Sequence, residues 1–556
     1  MELQQLQSFQ QDQSATYDDL YEALGLLRQD YQTVILLHYF YDFKLQEIAT
    51  MTGKPLNTVK IQLHRARNQL KKQLEVTPTF QTKQQDVNTM LKQQLKEAAL
   101  KFFTIPSHYE LCIDDVENEK AMFLWKDAAS DEGYYVELDK QGKLLSLSQP
   151  VMDTDVRISV EEQELIAKQF LTSQYAEALD YYTLSKVTEN EDRTRFGFEQ
   201  FVGGIPLASY YCFIEVASNG QILDFNFKGY TKNPPSFPET LLPKETVLAK
   251  LLEADWTASM SYLSSDYYYY SVPASGLYVL YESRVVYSKF DASTGVDALA
   301  SKRENDEEIE HEVFVPIPTV EPHIPKETIE DIVGVTPSME IVRHTELERD
   351  KQGIIWREKD WQTPNDKSMN SFIQDRFERT VKATIKPSTN ELKGFIWFKE
   401  RTGNLDLTFE ACQNIAVAFI TTYYREYIPY LQMKLEEPSF NELHRAFFTF
   451  PITVDGYRMD GEVFVISVNK TTGFIDMLMT PDVEVSTIQA YTPAPLLELS
   501  KMKQALNEID AVLQWASNYD GDEETEQLNY TFAHHTTKQR IKGINAITGE
   551  LILKDF

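Results

Sequence analysis

Short hairpin signatures recur along most of this 556-residue chain, and they constrain its fold more than any other feature. Each has apolar residues on both sides of a turn that ends in glycine, as in YYVELDKQGKLLSL and FVISVNKTTGFIDM. Glycine supplies the positive φ that such a turn requires. The signatures surround Gly142, Gly220, Gly295, Gly403, Gly473 and Gly549. Because the two sets of three have similar intervals, we expect a repeated fold of antiparallel hairpins.

Longer segments indicate a tandem duplication with a period of roughly 230–260 residues. Trp125 follows Pro106 by nineteen residues, and Trp356 follows Pro337 by the same number. A second shared pattern, two phenylalanines ahead of a glycine, comprises Phe196, Phe198 and Gly204 in one half and Phe448, Phe450 and Gly456 in the other. The second half also carries an insertion near residues 360–385, rich in Asp, Asn, Lys and Ser, which we expect to form a surface loop.

Amphipathic helices are predicted ahead of the strands in each half. SVEEQELIAKQFLTSQY and LTFEACQNIAVAFITTYY both place apolar residues at helical spacing. A helix followed by long strands predicts α+β modules in which the helix packs on one face of an antiparallel meander sheet.

Residues 44–74 are predicted to form two short helices around a tight turn. Ala49, Gly53 and Val59 stand at the offsets of a helix-turn-helix, which needs a small residue, a turn glycine and an apolar seal. The segment contains seven Lys or Arg residues and one acidic residue, a charge of +6, in a chain with net charge −31. A solvated amphipathic helix can also carry basic residues along one face. Here the turn residues and the positive charge both fit a helix-turn-helix, which favours a duplex DNA partner.

The segment EIATMTGKPLNTVKIQLHRARNQL resembles region 4 of the extracytoplasmic-function sigma factors of the sigma-70 family. YDDLYEALGLLRQDYQTVILLHYFYDF, just before it, resembles the two supporting helices of that region, so the resemblance covers residues 17–75. It implies a module that reads the −35 promoter element in the major groove and docks on the flap of core RNA polymerase.

The same resemblance implies which residues contact DNA. Base edges are approached by Asn57, Thr58, Lys60, Ile61 and His64. Phosphates are neutralised by Arg65, Arg67, Lys71 and Lys72. Ile61 and Gln62 stand where the family commonly has Ser-Arg, so one cationic contact is missing and we expect weaker binding.

A complete sigma factor carries region 2 ahead of region 4. Residues 1–16, MELQQLQSFQQDQSAT, instead resemble the polar linker between the two regions. We therefore expect either a sigma-derived regulator that lacks region 2 or a chain that begins at an internal start of a longer gene. In neither case do we expect the chain to open a promoter alone.

The remainder, residues 90–556, resembles the YcdB/YcdC repeat, a PepSY-like family of Bacillus-type bacteria. The shared features are a helix that begins at Ser159, a bend at Gly204-Ile205 and a hairpin of the type found at Asn545–Glu550. This resemblance implies a sensory or inhibitory body.

The predicted fold class is multidomain, with an all-α helix-turn-helix module followed by α+β tandem repeats. The predicted domains are a disordered linker-like segment at 1–16, the sigma region 4-like module at 17–75, a linker at 76–89, one repeat half at 90–305, a linker at 306–325 and the second repeat half at 326–556.

Patterns for catalysis are scarce, so we expect no enzyme, no catalytic residues, no metal and no cofactor. The sequence has no phosphate loop, HExxH motif or dinucleotide fingerprint. Cys112, Cys212 and Cys412 are odd in number and far apart, which predicts neither a disulfide framework nor a metal site. The acid run Asp114-Asp115 is predicted to be a solvated loop rather than a calcium site.

The N-terminus has no secretory signal pattern, and no run of some 18 apolar residues predicts a membrane span. We therefore expect a cytoplasmic protein. The acidic body should be repelled by nucleic acid, which confines DNA contact to the N-terminal helices.

Two functions remain open. The first is a sigma factor-like transcription regulator that binds a −35-type element and carries a sensory or interaction body. The second is a PepSY-like binding or inhibitory protein whose helix-turn-helix only holds RNA polymerase or an anti-sigma partner. Titration of a promoter duplex at two salt concentrations distinguishes them, because DNA binding is steeply salt-dependent.

Overall fold

The computed structural model describes residues 91–554, apart from short internal segments. Those segments are 118–119, 128–132, 153–155, 265–269, 298–313, 348–349, 363–365, 370, 373–378, 400, 435–443 and 521–522. The helix-turn-helix predicted at residues 17–75 lies outside the described residues.

The first repeat is an antiparallel sheet assembled from two units, each a helix followed by a four-strand meander. Its elements are helical residues 91–99, β1 (Tyr109–Glu117), β2 (Lys120–Asp127), β3 (Gly133–Asp139), β4 (Leu144–Ser148), α1 (Val160–Gln174), α2 (Ala178–Tyr181), β5 (Tyr182–Glu189), β6 (Arg193–Val202), β7 (Ile205–Ala217) and β8 (Ile222–Phe227). The strand order is β1-β2-β3-β4-β8-β7-β6-β5, because the last strands of the two units pair with each other.

A shorter unit follows the first repeat. It consists of α3 (Lys244–Glu253), β9 (Thr257–Leu263), β10 (Gly276–Glu282), a 3-10 turn at Arg284–Tyr287 and β11 (Phe290–Asp291). Strands β9 and β10 form an antiparallel hairpin, whereas β11 pairs with a strand from the C-terminal end of the chain.

The second repeat has the topology of the first. Its elements are β12 (Phe314–Pro316), α4 (Ile329–Val333), β13 (Met339–Leu347), β14 (Lys351–Glu358), β15 (Thr380–Lys386), β16 (Glu391–Trp397), α5 (Phe409–Tyr423), a 3-10 helix at Arg425–Tyr430, β17 (Gln432–Lys434), β18 (Arg445–Val454), β19 (Tyr457–Asn469) and β20 (Ile475–Met479). The strand order β13-β14-β15-β16-β20-β19-β18 matches the order β1-β2-β3-β4-β8-β7-β6 of the first repeat. A β-bulge occurs in both first strands, between Leu111 and Ile113 and between Ile341 and Arg343.

The last unit follows α6 (Val485–Ala490). It consists of α7 (Leu499–Met502), a 3-10 helix at Lys503–Glu508, β21 (Ile509–Asp520), β22 (Glu523–His534), β23 (Arg540–Asn545) and β24 (Leu551–Lys554). Strand β23 pairs with β10, and β22 pairs with β11, so this unit joins the short unit of the first half. We call the units of the described chain modules 1 to 6; they span residues 91–148, 160–227, 242–297, 329–397, 409–479 and 497–554.

The two predicted helices form where their capping residues place them. Ser159 caps α1 in a capping box, since its Oγ accepts from the Glu162 N–H at 3.2 Å while Glu162 Oε2 accepts from the Ser159 N–H. Thr408 caps α5 in the same position of the second repeat. The prediction of helices packed on antiparallel meander sheets is confirmed for the described residues.

The cores contain the residues that defined the duplication. Phe196, Phe198 and Phe450 are fully buried, and Phe448 is nearly so. In the first repeat, residues of helix 91–99 and of α1 lie in one apolar cluster with the sheet. Burial of each large side chain contributes about 1.5–3 kcal/mol, so the repeated aromatic pattern is a packing requirement.

The predicted turn glycines are confirmed at five of the six positions. Gly142, Gly220, Gly295, Gly473 and Gly549 all have positive φ. The prediction for Gly403 is wrong, because Gly403 lies in the connection between β16 and α5. The turn that corresponds to Gly142 joins β15 to β16 and is closed by Asn390, with φ of 54°. Asparagine tolerates this left-handed conformation, so the glycine pattern misses the turn.

Gly403 serves a different purpose. A Cβ at this position would lie 2.3 Å from the Thr471 carbonyl oxygen, and the Gly403 N–H donates to Thr471 Oγ1 at 3.1 Å. The connection is thus held against the last turn of its own repeat. The first repeat has the same arrangement, in which the Ile158 N–H donates to the Ser218 carbonyl oxygen beside Gly220.

The predicted insertion also differs from expectation. It joins β14 to β15 at residues 359–379, and the strand β15 begins at Thr380. Part of it is not a free surface loop, because it contacts the outer edge of β1. The Asp114 N–H donates to the Lys367 carbonyl oxygen at 2.8 Å, and Asp115 Oδ2 accepts from the Met369 N–H at 2.8 Å. The insertion therefore connects the two repeats.

One buried carboxylate makes the fold sensitive to pH. Glu462 in β19 is 8% exposed, and its Oε2 accepts from the Val483 N–H at 3.0 Å. Burial raises the pKa of Glu462 from 4.5 to about 7, against the opposing effect of this hydrogen bond. Nearby Asp482 raises the pKa further, although Lys351 pairs with Asp482 at 2.9 Å.

We expect Gly403→Ala to destabilise the chain more than Gly142→Ala. At Gly142 the cost is the left-handed backbone alone, about 1 kcal/mol, since the nearest neighbours leave ordinary space. At Gly403 the new Cβ would clash with backbone, which costs up to about 3 kcal/mol. Thermal unfolding of each variant measures the difference. Asn390→Gly is the control and should change stability by less than about 0.5 kcal/mol.

We expect Glu462→Gln to remove part of the pH dependence of stability. Because the folded-state pKa is raised, the stability linked to this group is present below about pH 4.5 and is lost as the pH rises to about 7. The Glu462→Gln variant should therefore be more stable than the wild type at about pH 8, by up to about 3 kcal/mol in the free energy of unfolding. At about pH 4.5 the two should differ little. Urea unfolding at both pH values measures this. An equal effect at both pH values would contradict this expectation. Glu426→Gln, at an exposed glutamate, is the control.

Candidate nucleic-acid interface and the surfaces around it

The residues predicted to contact DNA lie outside the described residues. They are Asn57, Thr58, Lys60, Ile61, His64, Arg65, Arg67, Lys71 and Lys72. Their roles stay predictions, and the structure describes instead the body to which that module is joined.

The described chain begins with a helix that is fixed on module 1. In helical residues 91–99, Leu95 and Ala99 are buried in the core of the first repeat. One turn apart on this helix, Lys92 and Lys96 both pair with Asp114, at 3.4 and 2.8 Å. Helical residues 91–99 are thus held on the sheet by apolar packing and by ion pairs.

Asp114 and Asp115 do not form the solvated loop that the sequence predicted. Both lie in β1, where Asp114 faces two lysines and Asp115 accepts from the backbone of the insertion. Their carboxylates are used to hold the first helix and the second repeat. The sequence did not predict the contact between β1 and the first helix. The only signal for it was the spacing of Lys92 and Lys96, which places both lysines on one face of a helix.

A buried ionic cluster joins Asp476 and Arg445 of module 5 to Arg401 in the connection from module 4. Asp476 is 1% exposed; its Oδ1 accepts from Arg401 Nε and its Oδ2 from Arg445 Nε, each at 2.7 Å. Asn469 Nδ2 also donates to Asp476 Oδ2 at 3.1 Å. The Arg401 guanidinium lies 4.2 Å from the centre of the Trp397 ring.

The arginines and the aspartate of this cluster compensate one another's charge. Burial lowers the pKa of Arg401, while Asp476 opposes that shift, so the arginine stays charged at neutral pH. Both carboxylate oxygens of Asp476 accept from neighbouring donors, which compensates the buried charge. Removing one partner of such a cluster exposes an uncompensated buried charge, at a cost of about 3–5 kcal/mol.

The cysteines and histidines of the described residues form no reactive group. Burial raises the pKa of the Cys112, Cys212 and Cys412 thiols, which keeps them protonated and poorly nucleophilic. His535 Nδ1 lies 2.9 Å from the Glu508 carbonyl oxygen, and His534 Nδ1 lies 2.9 Å from Thr537 Oγ1. Within the described part of the chain, no group of three or more His, Cys, Asp or Glu residues is placed to hold a metal ion.

A helix that crosses a membrane must be both long and apolar. None of the helices of the described residues combines the necessary length with the necessary apolar character.

Comparison with protein families identifies two parts of the chain. The model described as "YcdB, YcdC repeated domain" matches residues 92–229 and 324–479, which are modules 1 and 2 and modules 4 and 5. The model described as "Sigma-70, region 4" matches residues 17–70. Both resemblances found in the sequence are confirmed.

Known relatives agree with this division. The uncharacterized protein YcdB of Bacillus subtilis (strain 168) is 26% identical over 445 residues, which cover 78% of this chain and 93% of YcdB. The RNA polymerase sigma factor SigV of the same organism is 50% identical over 56 residues, which cover 10% of this chain and 34% of SigV. This chain therefore spans about a third of SigV.

Among solved structures, the Bacillus megaterium YpeB C-terminal domain is 15% identical, with a TM-score of 0.22, over 37% of this chain and 94% of that domain. A TM-score this low supports no statement about the fold. The family matches, in contrast, account for more than half of the sequence. The chain belongs to the YcdB/YcdC repeated-domain family and carries a sigma-70 region 4 segment at residues 17–70.

Proposed function

We propose that this protein is a sigma factor-like DNA-binding transcription regulator that recognises a −35-type promoter element. The observation that carries the proposal is the sigma-70 region 4 match at residues 17–70, supported by 50% identity to SigV over that stretch. The local charge of +6 at residues 44–74, in a chain of net charge −31, agrees with contact to phosphates.

The residues that carry this function are those of the predicted second helix. Base edges are contacted by Asn57, Thr58, Lys60, Ile61 and His64. Phosphates are contacted by Arg65, Arg67, Lys71 and Lys72. The flap of core RNA polymerase is the second partner of this module, which places the protein in the cytoplasm.

The repeats form a sensory or interaction body and not an enzyme. Neither matched family model describes a catalytic domain, and the charges of the cluster around Asp476 compensate one another. The DNA-binding module and the repeats are parts of one chain, so a partner that binds the repeats is brought to the promoter together with that module. The domain division at 90–305 and 326–556 is part of this proposal.

A second candidate function is favoured by one observation. Ile61 and Gln62 replace the Ser-Arg pair common in the sigma family, which removes a cationic contact with DNA. In that case the helix-turn-helix holds RNA polymerase or an anti-sigma partner without reading a promoter.

We expect sequence-preferring, salt-dependent binding of the full chain to a −35-type duplex. A preferred duplex is first selected from a randomised pool and then titrated by fluorescence anisotropy, beside a scrambled duplex. For four phosphate contacts, log K should fall with log salt, with a slope no steeper than about −3.5. A flat salt response without sequence preference would establish the second candidate function.

Lys60→Ala and Arg65→Ala should weaken binding in different ways. Lys60→Ala should reduce the preference for the selected duplex over the scrambled one, because Lys60 contacts base edges, at a cost of about 1–3 kcal/mol. Arg65→Ala should weaken both duplexes equally and reduce the salt slope by about one. Lys244→Ala is the matched control, because this exposed lysine of the body pairs with Asp510 at 2.9 Å. A similar loss in the control would contradict the assignment.

A further inference from the structure

Modules 3 and 6 lie outside both segments matched by the repeat family, yet they have the same plan as each other. Each begins with a short helix and continues as a hairpin, a further strand and a tight turn, after which module 6 adds β24. The turns are FDASTG at 290–295 and INAITG at 544–549. Asp291 Oδ1 and Asn545 Oδ1 accept equivalent backbone N–H bonds in the two turns.

The strand before the turn, β11 in module 3 and β23 in module 6, pairs with the hairpin of the other module. In one direction, Phe290 pairs with Tyr530 in β22. In the other direction, Ile544 pairs with Tyr281 in β10. Neither module therefore completes its sheet with its own strands alone.

The hydrogen bonds across the contact are reciprocal as well. The Ala292 N–H donates to the Leu528 carbonyl oxygen at 3.0 Å, and the Ala546 N–H donates to the Val279 carbonyl oxygen at 2.8 Å. Such pairing, in which each side uses the same atoms, is the property of an isologous two-fold interface.

Two tyrosine hydroxyls repeat the pattern. Tyr530 donates to the Leu242 carbonyl oxygen at 2.8 Å, and Tyr281 donates to the Leu497 carbonyl oxygen at 2.6 Å. Leu242 and Leu497 are themselves equivalent, because each precedes the first helix of its module and lies against the turn glycine, Gly295 or Gly549.

The contact is also buried and apolar. Phe290, Tyr281 and Tyr530 are less than 9% exposed, and Ala292 and Ala546 are fully buried. All of them belong to one apolar cluster. A buried, reciprocal, apolar contact of this kind resembles an obligate dimer interface rather than a transient one.

We propose that modules 3 and 6 are each other's binding partners, and that this contact holds the two halves of the chain together without the covalent connection between them. The partner that fits module 3 is thus a second copy of its own kind, supplied by the C-terminal end of the same chain. Other contacts also join the halves, but they are not reciprocal. Strand β9 pairs with β19 of module 5, the Ser209 N–H donates to Glu526 Oε1 at 2.8 Å, and Asp115 accepts from the Met369 N–H.

The test uses the full chain with a protease site placed within residues 298–313. After folding and cleavage, the two fragments should co-elute in gel filtration and dissociate slowly. Tyr281→Phe and Tyr530→Phe should each raise the dissociation rate at least fivefold, and by similar factors. Tyr278→Phe is the matched control, because its hydroxyl bonds to the Ala274 carbonyl oxygen of its own module.

Asp115→Asn, which weakens the contact with the insertion, should change the rate less than twofold. The proposal is overturned if the fragments separate without denaturant, if only one of the two tyrosines matters, or if Asp115→Asn releases them. Hydrogen exchange of the uncleaved wild-type chain gives an independent measurement that needs no variant. The amides of Ala292 and Ala546 should exchange together, as one cooperative unit, and separate exchange would overturn the proposal.

Discussion

The need to pair the edges of short sheets determines how this molecule is assembled. A meander of four strands leaves unpaired N–H and C=O groups along its outer strands, which must be paired, covered or protected by charge. Modules 1 and 2 solve this by pairing β4 with β8, and modules 4 and 5 by pairing β16 with β20. Modules 3 and 6 pair their strands with each other. The order of modules along the chain therefore differs from their order in space.

The edges that remain are treated individually. The outer edge of β1 is covered by the insertion of the second repeat. The edge strand β24 is tied to Ser271, whose N–H donates to the Leu553 carbonyl oxygen while its Oγ accepts from the Leu553 N–H. Strand β13 carries Glu340 and Glu346 among its exposed residues. Charge on an edge opposes association with other strands, since it would have to be desolvated there.

The sequence predicted the repeated elements well because their signals are local. Phe196, Phe450 and the capping residues Ser159 and Thr408 stand at fixed spacings that one helix or hairpin requires. The turn at Asn390 was missed because the prediction relied on glycine, whereas asparagine also adopts the left-handed conformation. The pairing of modules 3 and 6 was missed for another reason. Its contacts join segments some 250 residues apart, and no local pattern encodes a partner at that distance.

The candidate site shows the opposite balance. Residues 57–72 were assigned from a motif, while the packing of helical residues 91–99 depends on tertiary contacts of Lys92, Lys96 and Asp114. Hydrophobic periodicity identified helices but gave no indication of which acidic strand would accept those lysines.

Charge then determines how the two parts of the chain act together. The body beyond residue 75 carries nearly the whole net charge of −31, and it is repelled by DNA phosphates wherever it approaches within about one Debye length. Lys92 and Lys96 neutralise Asp114 where helical residues 91–99 contact β1, which reduces this repulsion where the body is closest along the chain to the DNA-binding module. Salt weakens the phosphate contacts but also screens the repulsion, so the two effects have opposite signs. The salt slope of the full chain is consequently a lower bound on the number of phosphates that the module neutralises.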